Sequence, residues 1–305
     1  MKKLSIIFAL FAGTLNAQEY FQQEVNYTID VRLDDVNNFL HGFEEFEYIN
    51  NSPDALSEIY IHLWPNAYKN GSSALAKQQY HDGDDQLRHG SDSIRGYIDS
   101  LDFEINHQKI KWFYTEEHED ICVLQLVTPL KPGERLSVTT PFRVKIPSGS
   151  ISRLGHVDES YQITQWYPKP AVYDTKGWHE MPYLGQGEFF SEFGSFDVRI
   201  TLPENYVVGA TGDLQTTSEI EYMDTLAAQT VRGIEEGYLR RQVAGVNEAY
   251  PNSFPASSET FKTIQFTQSN VHDFAWFADK RYSVLRGEVE LPHSGRKVTT
   301  WALYT

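Results

Sequence analysis

Cysteine is all but missing: one residue, Cys122, in a chain of 305. An intrachain disulfide is therefore impossible, and thiolate zinc clusters, which need several Cys, are excluded. Cys122 itself sits in the apolar run Ile121-Cys122-Val123-Leu124 and reads as a small buried hydrophobe. Positive charge is in deficit, with 26 Lys and Arg against 42 Asp and Glu and a net charge of −16. Such a chain repels phosphate backbones, which argues against a nucleic-acid partner. Long apolar runs are absent as well; none reaches the roughly 20 residues of a membrane helix.

Several catalytic patterns are also missing. A zincin helix places two His four residues apart, with a Glu beside the first. The ten His include no such pair: His118-Glu119 and His179-Glu180 begin the pattern, but Cys122 and Tyr183 stand where the second His belongs. Gly-x-Ser-x-Gly does not occur, and Gly185-Gln186-Gly187 is followed by neither a third Gly nor Lys-Ser/Thr. His81, Asp82, Asp84, Asp85 and His89 crowd one segment, yet their spacing fits no EF-hand loop; they read as a solvated acidic loop. The expectation is that this chain holds no catalytic residue and no metal.

What the chain has is aromatic and period-two. Phe, Trp and Tyr make up 14%, which favours strands over a helical bundle. Val25, Tyr27, Ile29, Val31 and Leu33 alternate with polar residues, as do Ile59, Ile61 and Leu63, and Leu136 to Ile146. Leu101 to Ile105, Phe196 to Leu202 and Thr260 to Phe266 read as further strands. Ile121 to Val127, apolar on both faces, reads as a central one. Glu288–Leu291 and Lys297–Leu303 flank His293-Ser294-Gly295 as a hairpin. Two helices are expected, over Gly233–Tyr250 and Asn270–Arg281, and a polar loop from Asn66 to Gly96. The fold class is mainly β: an antiparallel sandwich with a few short helices.

The start of the chain carries a sorting signal. Lys2 and Lys3 precede an almost wholly apolar stretch from Leu4 to Leu15, then Asn16-Ala17 and polar Gln18-Glu19. This is the pattern of a secretory signal peptide, residues 1–17, and implies export to the periplasm or the extracellular space. The mature chain would then have no membrane span.

The densest polar-aromatic block lies between Gln162 and Phe196, with Trp166, Trp178, several Tyr and the carboxylates Glu180, Glu188 and Glu192. It reads either as a binding surface or as a packed aromatic loop. A glycosidase-type carboxylate pair within it is a further, weaker option, since sequence does not give the separation.

The run Thr164-Gln165-Trp166-Tyr167-Pro168-Lys169-Pro170, then Gly187-Glu188-Phe189 through Gly194, Phe196 to Pro203, and Val207-Val208-Gly209-Ala210-Thr211-Gly212 resembles the M1 family of zinc metallopeptidases. Leu63 to Tyr68 and Val271 to Trp276 fit the same group. The match is to the saddle-shaped N-terminal β domain of exported, aminopeptidase N-like bacterial members.

The resemblance implies a β domain over 18–285 and a final hairpin, 286–305, leading into a catalytic domain that this chain lacks. That downstream domain would be the partner of this one and would hold zinc through HExxH and a distant Glu. It also implies a peptide substrate, and assigns Gln165 to substrate binding as the side chain that reaches the free amine. The apolar final strand, ending in Trp301-Ala302-Leu303, agrees with a C-terminal truncation. Trp166-Tyr167-Pro168 departs from better-known members at this point. The alternative is a stand-alone secreted β-sandwich that binds a peptide or glycan; an HExxH in the downstream reading frame separates the two.

Overall fold

The computed structural model describes residues 20–186, 189–244 and 253–305. The expected signal segment, 1–17, and Glu188 lie outside the described residues.

Alternation along the strands decides the architecture. In Glu24–Asp34 the side chains of Val25, Tyr27, Ile29, Val31 and Leu33 are buried, and those between them face outward. This strand pairs antiparallel with Phe39–Ile49 along its whole length, and Phe39–Ile49 pairs in turn with Arg135–Lys145. On its other edge Glu24–Asp34 meets Gly194–Pro203 in parallel register, Tyr27 opposite Phe196. Phe261–Val271 and Asp213–Leu214 continue the sheet beyond, and short pieces at the far edge complete nine strands.

Two four-stranded sheets complete the sandwich. One runs Lys169–Pro170, Leu56–His62, Ile121–Leu130, Lys111–Tyr114; the other runs Gly155–Val157, Ser160–Ile163, Trp276–Asp279, Val207–Ala210. Buried residues of all three sheets form one core, in which Trp166, Trp276, Tyr48, Tyr161 and Phe46 are among the largest. Each such side chain contributes about 1.5–3 kcal/mol on burial. Among the described residues the fold is mainly β and, apart from one parallel strand pair, its strands pair antiparallel. Ile121 to Leu124 are buried on both faces, and burial pushes the Cys122 thiol well up.

Four local expectations are corrected. Asn270–Arg281 is not a helix: the strand Phe261–Val271 ends there, and Trp276–Asp279 is another strand. Phe274, Trp276 and Ala278 are all fully buried at a spacing of two, which only an extended chain achieves. Asn270 takes a left-handed φ of 61°.

The long helix is Thr217–Ala244, not a segment starting at Gly233; its expected continuation to Tyr250 lies outside the described residues. Its buried stripe is Glu219, Met223 and Ala227, at intervals of four, whereas Val231 and Ile234 stand exposed. The polar stretch from Asn66 to Gly96 contains helical turns, among them Ala74–His81. The Ser73 side chain caps that helix by accepting from Ala76 N, and Leu75, Ala76 and Leu87 anchor the region. Leu101 to Ile105 is likewise broken, with Ser100 at φ 63° and only Tyr97–Asp99 and Glu104–Ile105 paired to the sheet.

The hairpin forms from Ser283–Glu290 and Lys297–Tyr304. Val284, Trp301 and Leu303 pack with Met223, Ala227 and Val207 in a second, small core under the long helix. No helix of the described residues is long and apolar enough to cross a membrane.

Gly194 sits where the parallel strand begins, and a Cβ there would lie 1.7 Å from the Val25 carbonyl oxygen. Backbone cannot yield as a side-chain tip can. Gly194→Ala is therefore expected to lower the unfolding free energy by about 2–4 kcal/mol, in the range of severe backbone conflicts, measurable by urea titration.

Candidate functional site

The site is built from two loops that leave the third sheet. After Ser160–Ile163 the chain turns sharply at Gln165, whose φ is 54°. A non-glycine residue in this region is uncommon and stores about 1–3 kcal/mol of strain. The turn sends Trp166 into the core, where its Nε1 donates to the Phe274 carbonyl at 3.0 Å. It then delivers Tyr167 and, between two prolines, Lys169. From the other side comes Asp273, in the turn ahead of Trp276–Asp279.

These four side chains meet. Gln165 Nε2 donates to Asp273 Oδ2, and Gln165 Oε1 accepts from Lys169 Nζ at 2.9 Å. Lys169 Nζ lies 3.3 Å from Asp273 Oδ1. Tyr167 Oη donates to Asp273 Oδ1 at 2.8 Å, and so does Phe274 N at 2.9 Å. Gln165 is 6% exposed and Lys169 2%; the Asp273 side chain, at 17%, is the more open end of the group.

Electrostatics follow from burial. Desolvation lowers the Lys169 ammonium, and Asp273 pulls it back up. Lys169 also lies over the Trp64 ring, 4.6 Å from its centroid, and 5.6 Å from that of Tyr167. His62 stacks on Trp64 at 4.5 Å and is held neutral: burial, then the Lys169 charge, push it down to about 3. Its Nε2 accepts from Met181 N at 3.3 Å. Burial pushes the Tyr167 phenol well above its usual range. The result is a polarised, water-poor cluster with one cation, one anion and one amide between them.

The remaining sequence candidates are not drawn into it. Glu180 is exposed. Glu192 is buried, accepts from Tyr173 N at 3.2 Å, and is pushed up to about 7 by burial. His179 lies 2.8 Å from Asp174. The residues from His81 to Asp85, together with His89, are exposed along the helical turns described above. Among the described residues, no three His, Cys, Asp or Glu side chains gather as a metal-binding group.

No family model matches this chain, and no curated protein matches its sequence. Among solved structures it is similar to an M1 zinc metallopeptidase from Deinococcus radiodurans in a mutant form. The TM-score is 0.49 and the identity 14%, over 93% of this chain and 48% of that one. The same mutant bound to a Tyr-Ser-Ala substrate gives 0.48 and 14%, again over 93% and 48%. A two-domain M1 zinc metallopeptidase mutant bound to L-arginine gives 0.47 and 13%, with the same 93% and 48% coverage. The chain thus spans about half the length of these solved chains.

Lys169 and Asp273 are the residues that sequence reasoning left without a role. Lys169 lies inside the quoted aromatic motif, and a lysine wedged between Pro168 and Pro170 among buried aromatics was the available signal. Asp273 falls within the expected helix Asn270–Arg281, and that element hides its meeting with Gln165.

Proposed function

We propose that this chain is the N-terminal β region of an exported zinc-dependent aminopeptidase, in which Gln165 helps bind the free amine of a peptide. The observation that carries the reading is Gln165 itself. It occupies the position that the motif resemblance assigns to amine binding, in a strained backbone conformation, with its amide held at both ends by charged groups. An amide oxygen accepts two hydrogen bonds; Lys169 supplies one, and this reading gives the second to a substrate ammonium. The zinc would belong to the catalytic domain that follows, and supply the Lewis acid for the scissile carbonyl. This chain would contribute one wall of the cleft and no step of the chemistry.

The test is kinetic. In a protein carrying this chain together with an HExxH domain encoded downstream, Gln165→Ala lowers peptide kcat/KM by about ten- to a hundredfold. That corresponds to roughly 1.5–3 kcal/mol for a hydrogen bond to a charged group. Unchanged kcat/KM with a lowered melting temperature would leave Gln165 as a loop brace alone. A downstream frame without HExxH would favour a stand-alone binding module.

A further inference from the structure

The two ends of a glutamine amide are similar in size and opposite in hydrogen-bonding role. Rotated half a turn, Gln165 would offer an incoming ammonium two donors in place of an acceptor. Here neither end is free to rotate. Oε1 faces Lys169 Nζ, which can only donate, and Nε2 faces an Asp273 carboxylate, which can only accept. A half-turn would set NH2 against ammonium and oxygen against carboxylate. The two charged groups are themselves tied together at 3.3 Å and anchored from outside the pair. Tyr167 Oη and Phe274 N hold Asp273, while the Trp64 ring faces Lys169.

We propose that Lys169 and Asp273 are positioning residues, an oriented ion pair that locks the Gln165 amide with its oxygen as the acceptor presented to a primary ammonium. The inference rests on the amine-binding reading above, and adds that the ion pair's polarity decides which end of the amide is offered.

Two arms test it. The first uses this 305-residue chain and the side-chain NH2 signals of Gln165 in a nitrogen–proton correlation spectrum, assigned by their loss in Gln165→Met. In the wild type the pair should be shifted and at least tenfold slower in solvent exchange than exposed glutamines; in Lys169→Met it should move toward the exposed envelope. A fast-exchanging wild-type pair, or an unchanged pair in folded Lys169→Met, overturns the proposal. The wild-type measurement decides even if the variant does not fold.

The second arm uses the protein with its catalytic domain and an amino-acid anilide. Lys169→Met should raise KM about tenfold with kcat within twofold, a split that loss of stability alone does not produce. A wild-type KM in Lys169→Met, beside a defective Gln165→Ala, removes the positioning role alone. Wild-type kinetics in Gln165→Ala, with the first arm as expected, removes the amine-binding reading instead.

Discussion

Replacing Glu44 by methionine should make the protein more stable at pH 8, and by an amount that falls as the pH is lowered toward 4. Glu44 lies on the inner face of Phe39–Ile49, fully buried between Ile29 and Thr140 of its neighbour strands. Neither carboxyl oxygen has a hydrogen-bond partner. Burial alone drives its pKa far above the usual carboxylate range, so the folded state keeps the proton that the unfolded chain releases near pH 4.3, roughly the free Glu value. The sign follows. A raised folded pKa gives stability that is complete below the unfolded value and is lost as pH rises toward the folded one. The slope is at most about 1.4 kcal/mol per pH unit in that window. Methionine fills a similar volume with no polar atom and removes the slope. Urea titrations of both proteins at pH 4, 6 and 8 measure it. A Glu44→Met protein less stable than wild type at pH 8 would show that the carboxylate is satisfied in solution.

Lys169→Met should be the most damaging single change at the site. It leaves Asp273 facing Gln165 and Tyr167 without its cation, and removing one partner of a buried pair costs about 3–5 kcal/mol. Adding Asp273→Asn should recover at least about 1 kcal/mol of this, because the neutral side chain no longer needs the cation. Strict additivity of the two changes in a double-mutant cycle would mean that the 3.3 Å approach carries no coupling.

Where the sequence spoke clearly, a single period ran unbroken. Glu24–Asp34, Arg135–Lys145 and Gly194–Pro203 each show inner and outer residues in strict turn, and each forms the expected strand. The stretch after Asn270 failed because Val271, Phe274, Ala275 and Ala278 also fit a helical face. Only the burial of Trp276 between Phe274 and Ala278 settles the period, and burial is a property of the partners. The same holds for the site. Gln165 was singled out by its motif alone, but Asp273 lies 108 residues away in the chain, and no local pattern announces a partner at that range. The parallel pairing of Glu24–Asp34 was equally invisible, since it joins segments with no turn between them.

That pairing has a consequence for the route by which the protein folds. Glu24–Asp34, Phe39–Ile49 and Arg135–Lys145 can assemble first, through their mutual antiparallel contacts. The remaining edge of Glu24–Asp34 waits for Gly194–Pro203, whose Phe196 must find Tyr27 across most of the intervening chain. Closing so large a loop precedes any reward from the contact. The half-built sheet therefore exposes the backbone of its most central strand until late, and folding of this domain should be limited by that closure, with the interior edge, rather than a peripheral one, open to mispairing in the meantime.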